Sequence, residues 1–266
     1  MSSDRHGCTR ITLEICVGSL EHAVAAERAG ADRIELCAEL AVGCTTPSVD
    51  LMEAVRAALR IPVHTMIRPW GGDFFYFAEE FAAMREDVLR ARECGVDGVV
   101  LGILDAEGRV DVPRVRELVE PARLPVTFHR AFDEVDDFAV ALEAVIATGA
   151  RRVLTSGGQA RAVDGIAVLE QLVKQAGQRI AILPGVGIHA ENVVQIVRAT
   201  AACEVHASLG LSSWPAGVGG VAEWEQKVRG LRAALDGIGE FGVVRILEAV
   251  VSGFASSPQA LKRCAA

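Results

Sequence analysis

Hydrophobic positions along this chain follow two alternating rhythms. Short runs such as "ITLEICV" (11–17), "PVHTMIRP" (62–69), "PVTFHRAF" (125–132) and "RIAILPGVG" (179–187) are apolar, rich in β-branched residues and bounded by turn residues, the pattern of a buried parallel strand. Three more strands follow a shared phrase: "AGADRIEL" (29–36), "CGVDGVVL" (94–101) and "TGARRVLT" (148–155) each end a helix on glycine and then begin an apolar run. A glycine just past a helix takes the left-handed conformation cheaply. "TAACEVHA" (200–207) is a weaker copy without the glycine. Amphipathic helical patterns lie between the strands. In "PSVDLMEAVRAALR", Leu51, Met52, Val55, Ala58 and Leu59 recur at helical spacing behind a Ser48 cap.

Eight alternating β and α units predict an α/β chain folded as a (β/α)8 TIM barrel, whose usual length of about 250 residues suits the 266 here. A doubly wound sheet needs fewer units, and no glycine-rich dinucleotide fingerprint follows the first strand. The expected organisation is a tail over 1–10, one barrel domain over 11–237, and a C-terminal helix and tail over 238–266.

Composition narrows the function. The formal charge is -8, and the 27 basic residues are scattered among 35 acids, which argues against nucleic-acid binding. The first ten residues, "MSSDRHGCTR", lack an apolar leader region and no run is long enough to span a bilayer, so a cytoplasmic location is expected. Seven cysteines in no regular framework predict reduced thiols. The three lysines, Lys174, Lys227 and Lys262, fall in predicted helices or the tail, which disfavours a Schiff-base aldolase.

In such a barrel the chemistry sits at the C-terminal ends of the strands. Strand alternation sends Glu14 and Cys16 inward from strand 1, and Glu35 and Cys37 from strand 2. The same count selects His64, Met66 and Arg68 on strand 3, Thr127 and His129 on strand 5, and His206 and Ser208 on strand 8. Buried charges are costly unless paired, and this set is too polar for a packing core. His64, early in its strand, reads as a core histidine near the barrel floor. The loops add candidates: Gly71, Gly72 and Asp73 in "RPWGGDF", Arg130 and Asp133 in "FHRAFD", Ser156 and Gly157 in "TSGG", and Gly185 and Gly187 in "PGVG". Glycine-rich turns at helix starts can present N–H groups to an anion.

The ordered motifs "LEIC", "GADRIELCAEL", "TTPS", "IPVHTMIRPWGGDF", "VTFHRAFD", "RVLTSGG" and "EVHAS" together resemble the CutC family, called copper homeostasis proteins, over about residues 11–210. The resemblance implies a TIM barrel, Cu(I) binding without an organic cofactor, a cytoplasmic location and a homo-oligomer, dimer or tetramer. The family cysteines proposed as copper ligands match Cys16 and Cys37. Soft thiolates select Cu(I), and adjacent parallel strands about 4.8 Å apart can set two sulfurs on one ion.

The chain departs from the family pattern at three places. Trp70 stands where arginine is expected in "RPRGGDF", Cys44 replaces a glycine before "TTPS", and "LGLSSWPAGVGG" lacks an expected basic, Asn-containing segment. Two further readings stay open. One is an isomerase, lyase or hydrolase of a small anionic metabolite, with Glu14 or Glu35 as base, His129 and His206 as acid or electrophile, Arg68 as anion clamp and Asp133 in support. The other is a redox-sensitive binding protein without turnover.

Overall fold

A computed structural model describes residues 10–210 and 220–238. Eight parallel strands alternate with eight helices: β1 (Thr12–Val17), α1 (Leu20–Arg28), β2 (Arg33–Leu36), α2 (Val49–Ala58), β3 (Val63–Met66), α3 (Ala78–Glu93), β4 (Gly98–Leu101) and α4 (Val112–Ala122). The second half continues with β5 (Val126–Phe128), α5 (Phe138–Thr148), β6 (Arg152–Thr155), α6 (Ile166–Ala176), β7 (Ala181–Pro184), α7 (Ala190–Thr200), β8 (Glu204–Ala207) and α8 (Val221–Asp236). Short 3-10 turns at Leu40–Val42 and Arg130–Glu134 interrupt the loops after β2 and β5.

The backbone ladder runs β7-β6-β5-β4-β3-β2-β1-β8, and β7 lies against β8 to close the ring. This is the expected TIM barrel. The predicted Ser48 cap is present, its Oγ accepting from the Leu51 N–H at 3.3 Å. Gly30, Gly95 and Gly149 follow α1, α3 and α5 with φ of +94°, +76° and +87°, as the repeated phrase predicts. Where the weaker copy lacks glycine, Ala201 takes the same conformation at φ +59°.

Two apolar cores result from strand alternation. Leu13, Ile15, Val17, Ile34 and Leu36 point outward and pack beneath the helices in the main core. A separate small cluster of Cys16, Cys37, Met66 and Val100 fills the barrel interior near the strand ends. The interior floor is ionic. Arg33 donates to Glu14 and, at 2.6 Å, to Glu204, which also accepts from Arg152 at 3.1 Å. His64 packs beside this network, its Nδ1 3.9 Å from Glu14, and burial pushes its pKa down to about 3. It is a neutral floor histidine.

No helix among the described residues is long and apolar enough to cross a membrane. The expected C-terminal helix and most of the N-terminal tail lie outside the described residues. Cys16, Cys37, Cys44 and Cys94 are free, whereas Cys203 is disulfide-bonded, which corrects the expectation that every thiol is reduced.

Candidate functional site

The C-terminal ends of the strands enclose a cavity of about 450 Å³. Cys16, Glu35, Arg68, His129, His206 and Ser208 line it, joined by Gly72, Gly187 and Cys44 from the loops. Register explains the grouping. Cys16 on β1 stands opposite Glu35 on β2, and Glu14 opposite His206 on β8, so the acids and thiols of three neighbouring strands converge.

Cys16 Sγ and Cys37 Sγ are 3.7 Å apart, both buried, and Cys37 Sγ lies 3.6 Å from Glu35 Oε2. Glu35 Oε2 is also 3.0 Å from His206 Nε2. Cys44 enters from the loop after β2, and one ligand atom from each of Cys16, Glu35, Cys37 and Cys44 lies within 4.8 Å of the others. The cluster holds its protons unevenly. Cys44 is pulled down to about 4 by hydrogen bonds from Cys16 and Cys37, helped by the charges of His206 and Arg68. Cys37 is pushed up by burial and by its contact with Cys16. For Cys16 the contact with Cys37 lowers the pKa, but Cys44, burial and Glu35 outweigh it and the net shift is upward.

His206 is buried, which disfavours its cation, yet the Glu35 carboxylate followed by Glu14 and Cys44 raises its pKa. His129 behaves oppositely: burial and then the Arg68 charge push it down to about 3. Its Nδ1 accepts the Ala131 N–H at 3.2 Å, so the neutral ring carries its proton on Nε2, which has no protein partner. The ring sits against Phe74, whose other neighbour is the Arg68 guanidinium 4.8 Å from the Phe74 centroid.

Arg68 is buried and meets carbonyls. Its Nη1 donates to Gly43 O at 2.6 Å and more weakly to Cys44 O at 3.4 Å, and its Nη2 to Gly72 O at 2.6 Å. Among the described residues it has no carboxylate partner. The guanidinium thereby ties the Cys44 loop to the loop after β3.

Several candidates sit elsewhere. Glu14 is fully buried one layer deeper, held by Arg33, with its Oε1 4.0 Å from His206 Nε2. Asp133 accepts from Thr155 Oγ1, from the Ser156 and Gly158 N–H groups at 3.0 and 3.1 Å, and from Arg130 at 2.9 Å. Its carboxylate thus occupies the N–H groups that "TSGG" would offer an anion, and Gly157 N–H turns back to Thr155 Oγ1 at 2.9 Å. Gly185 lies close against Leu154 and His206, where a Cβ would fall 2.5 Å from Leu154 Cδ1. Gly71 and Asp73 are exposed, and Asp73 accepts from the Phe75 N–H at 3.3 Å as a turn residue. Trp70 reaches away to Glu80, donating at 2.7 Å.

Cys44 is the residue that strand alternation misses. Its position depends on a tight return of the chain, in which Ala38 and Thr45 exchange both backbone hydrogen bonds at 2.9 Å. The only sequence signal is a cysteine placed two residues after "AV" and directly after Gly43, before "TTPS".

Comparison with known proteins gives the family and the fold. The CutC family model matches residues 11–211. A CutC family protein of Chromobacterium violaceum is 45% identical over 84% of this chain and 98% of its own length. The human copper homeostasis protein cutC homolog is 46% identical over 74% of this chain and 72% of its length. A crystal structure described as the copper homeostasis protein CutC of Streptococcus agalactiae superimposes with a TM-score of 0.71 at 36% identity, covering 74% of this chain and 98% of the other. The chain therefore belongs to the CutC family.

Proposed function

We propose that this protein serves copper homeostasis by binding Cu(I) at the barrel mouth through Cys16 and Cys37. The observation that carries the reading is the pair of free thiols 3.7 Å apart at the ends of β1 and β2, beside a cavity open to small ligands. The donors fit the ion: thiolate is a soft ligand that favours Cu(I), and the neighbouring Met66 adds apolar, polarizable surroundings. Glu35 accepts from Cys37 and pairs with His206, whose imidazolium would offset negative charge as the thiols lose protons. A cytosolic location belongs to the reading through the family resemblance, and cell fractionation tests it. Homo-oligomerisation belongs to the reading through the resemblance alone, and light scattering tests it. In an anaerobic Cu(I) competition titration, Cys16→Ala/Cys37→Ala should lose binding and His206→Asn should keep it. Equal loss from both would remove the thiol pair from its central place.

One observation favours a second reading, an enzyme acting on a small anionic metabolite. Arg68 is a buried cation without a carboxylate partner among the described residues, and Glu35 Oε1 and His129 Nε2 lie nearby without protein partners. In this reading Glu35 is the base, neutral His129 the hydrogen-bond donor and Arg68 the clamp. Glu35→Gln and His129→Asn should then fold normally and abolish turnover found by metabolite screening. Retained turnover in both would end the reading.

A further inference from the structure

We infer that Cys44 completes a three-sulfur site, so that Cys16, Cys37 and Cys44 together hold one monovalent thiophilic ion in trigonal coordination. The inference rests on the Cu(I) reading above and adds to it a third ligand and a coordination number.

The distance between the first two sulfurs distinguishes two coordination geometries. With metal–thiolate bonds of about 2.3 Å, two sulfurs on opposite sides of a linear ion stand about 4.6 Å apart, whereas two corners of a trigonal site stand about 4.0 Å apart. Cys16 Sγ and Cys37 Sγ are 3.7 Å apart, on the trigonal side of that division. Both thiols are buried, Cys16 on β1 and Cys37 just past the end of β2, where its N–H donates to Val17 O at 2.9 Å and keeps the two side chains as neighbours. A pair set at trigonal spacing calls for a third donor, and Cys44 Sγ belongs to the same group of atoms within 4.8 Å of one another.

Independent features hold Cys44 there. The chain from Ala38 to Thr45 is pinched by two backbone hydrogen bonds, the Cys44 N–H donates to Glu39 O at 3.3 Å, and Arg68 grips the carbonyls of Gly43 and Cys44. Cys44 itself has φ +70°, a conformation that glycine takes freely and that other residues resist. The fold therefore keeps a sulfur at a backbone position better suited to glycine. Glu35, whose Oε1 has no protein partner, completes the wall behind the three sulfurs.

The conformation at Cys44 also supplies a clean test. Cys44→Gly removes the sulfur and eases the backbone, so its far-UV circular dichroism and denaturation midpoint should match or exceed those of the unmodified protein. In an anaerobic competition titration with Cu(I), the unmodified chain should bind one equivalent. Cys44→Gly should raise Kd by more than about 100-fold, beyond the roughly 10- to 100-fold effect of groups that only hydrogen-bond to a ligand. A smaller loss, or none, with binding still abolished in Cys16→Ala/Cys37→Ala, overturns the three-sulfur site and leaves the two-thiol reading standing. If the unmodified protein binds no more tightly than that double variant, the copper reading fails and the inference fails with it.

Discussion

Gly102, just past the end of β4, offers a perturbation that separates the two halves of the barrel mouth. A Cβ at this position would lie 2.6 Å from His129 Nδ1, 2.7 Å from Cε1 and 3.2 Å from the Ala131 Cβ. For Gly102→Ala the imidazole must retreat by about 0.8 Å to restore ordinary contact. It has little room, since Nδ1 accepts from the Ala131 N–H and the ring packs against Phe74 at a centroid distance of 4.8 Å. Overpacking a buried site of this kind costs about 1–3 kcal/mol. In a domain of this size each kcal/mol lowers Tm by roughly 2–4 °C. Urea denaturation of Gly102→Ala, His129→Ala and the double variant forms a cycle in which removing the ring should relieve the clash, giving a coupling of at least about 1 kcal/mol. Cu(I) affinity should stay within about threefold of the unmodified protein, because the thiols stand on β1, just past β2 and in the loop that follows it. A coupling near zero would refute the packing of His129 against β4. A large loss of Cu(I) affinity would refute the separation of the His129 side from the thiol side.

Other outcomes follow from the interior charges. Arg33→Met leaves Glu14 buried without its cation and Glu204 with Arg152 alone, so urea denaturation should show a loss of about 3–5 kcal/mol; a loss below about 1 kcal/mol would mean that the floor network is not a structural support. Acid sensitivity should come from His64 and His129, each held near a pKa of about 3 by burial. Unfolded imidazoles titrate near 6.5, so as pH falls below that value the unfolded chain takes up protons that the folded chain refuses. Stability should therefore fall between about pH 6 and 5 by on the order of 1.4 kcal/mol per pH unit for each ring. His206, whose folded pKa is raised, adds no slope in that window, since its contribution is lost only as pH rises through the folded value. A His64→Gln variant should show about half the slope, and an unchanged slope would contradict the assignment.

The barrel was legible because its two periods are distinct: β-branched runs mark strands buried on both faces, and glycines at φ > 0 mark the helix ends. Alternation also found the inward side chains of β1, β2, β5 and β8. It ordered residues along one strand, as for His64 near the floor, but not between strands, where the stagger decides which groups share a level. Glu14 and Cys16 share a face, yet the register places Glu14 beside Arg33 in the floor and Cys16 beside Glu35 at the mouth. Nor could it foresee how loop groups satisfy one another. Asp133 consumes the Ser156 and Gly158 N–H groups of "TSGG", and Arg68 turns its Nη1 and Nη2 donors to loop carbonyls, because buried polar groups take whatever partner the fold brings within reach. Cys44 depended on a chain reversal between residues 38 and 45 that no periodic pattern announces.

Copper K-edge X-ray absorption on protein loaded anaerobically with one equivalent of Cu(I) and then desalted reads out whether the barrel-mouth thiols hold the ion. A thiol site predicts that copper stays with the protein and is surrounded by sulfur at about 2.3 Å, with that signal gone in Cys16→Ala/Cys37→Ala. Copper lost on desalting, or held only by nitrogen and oxygen neighbours, would contradict it.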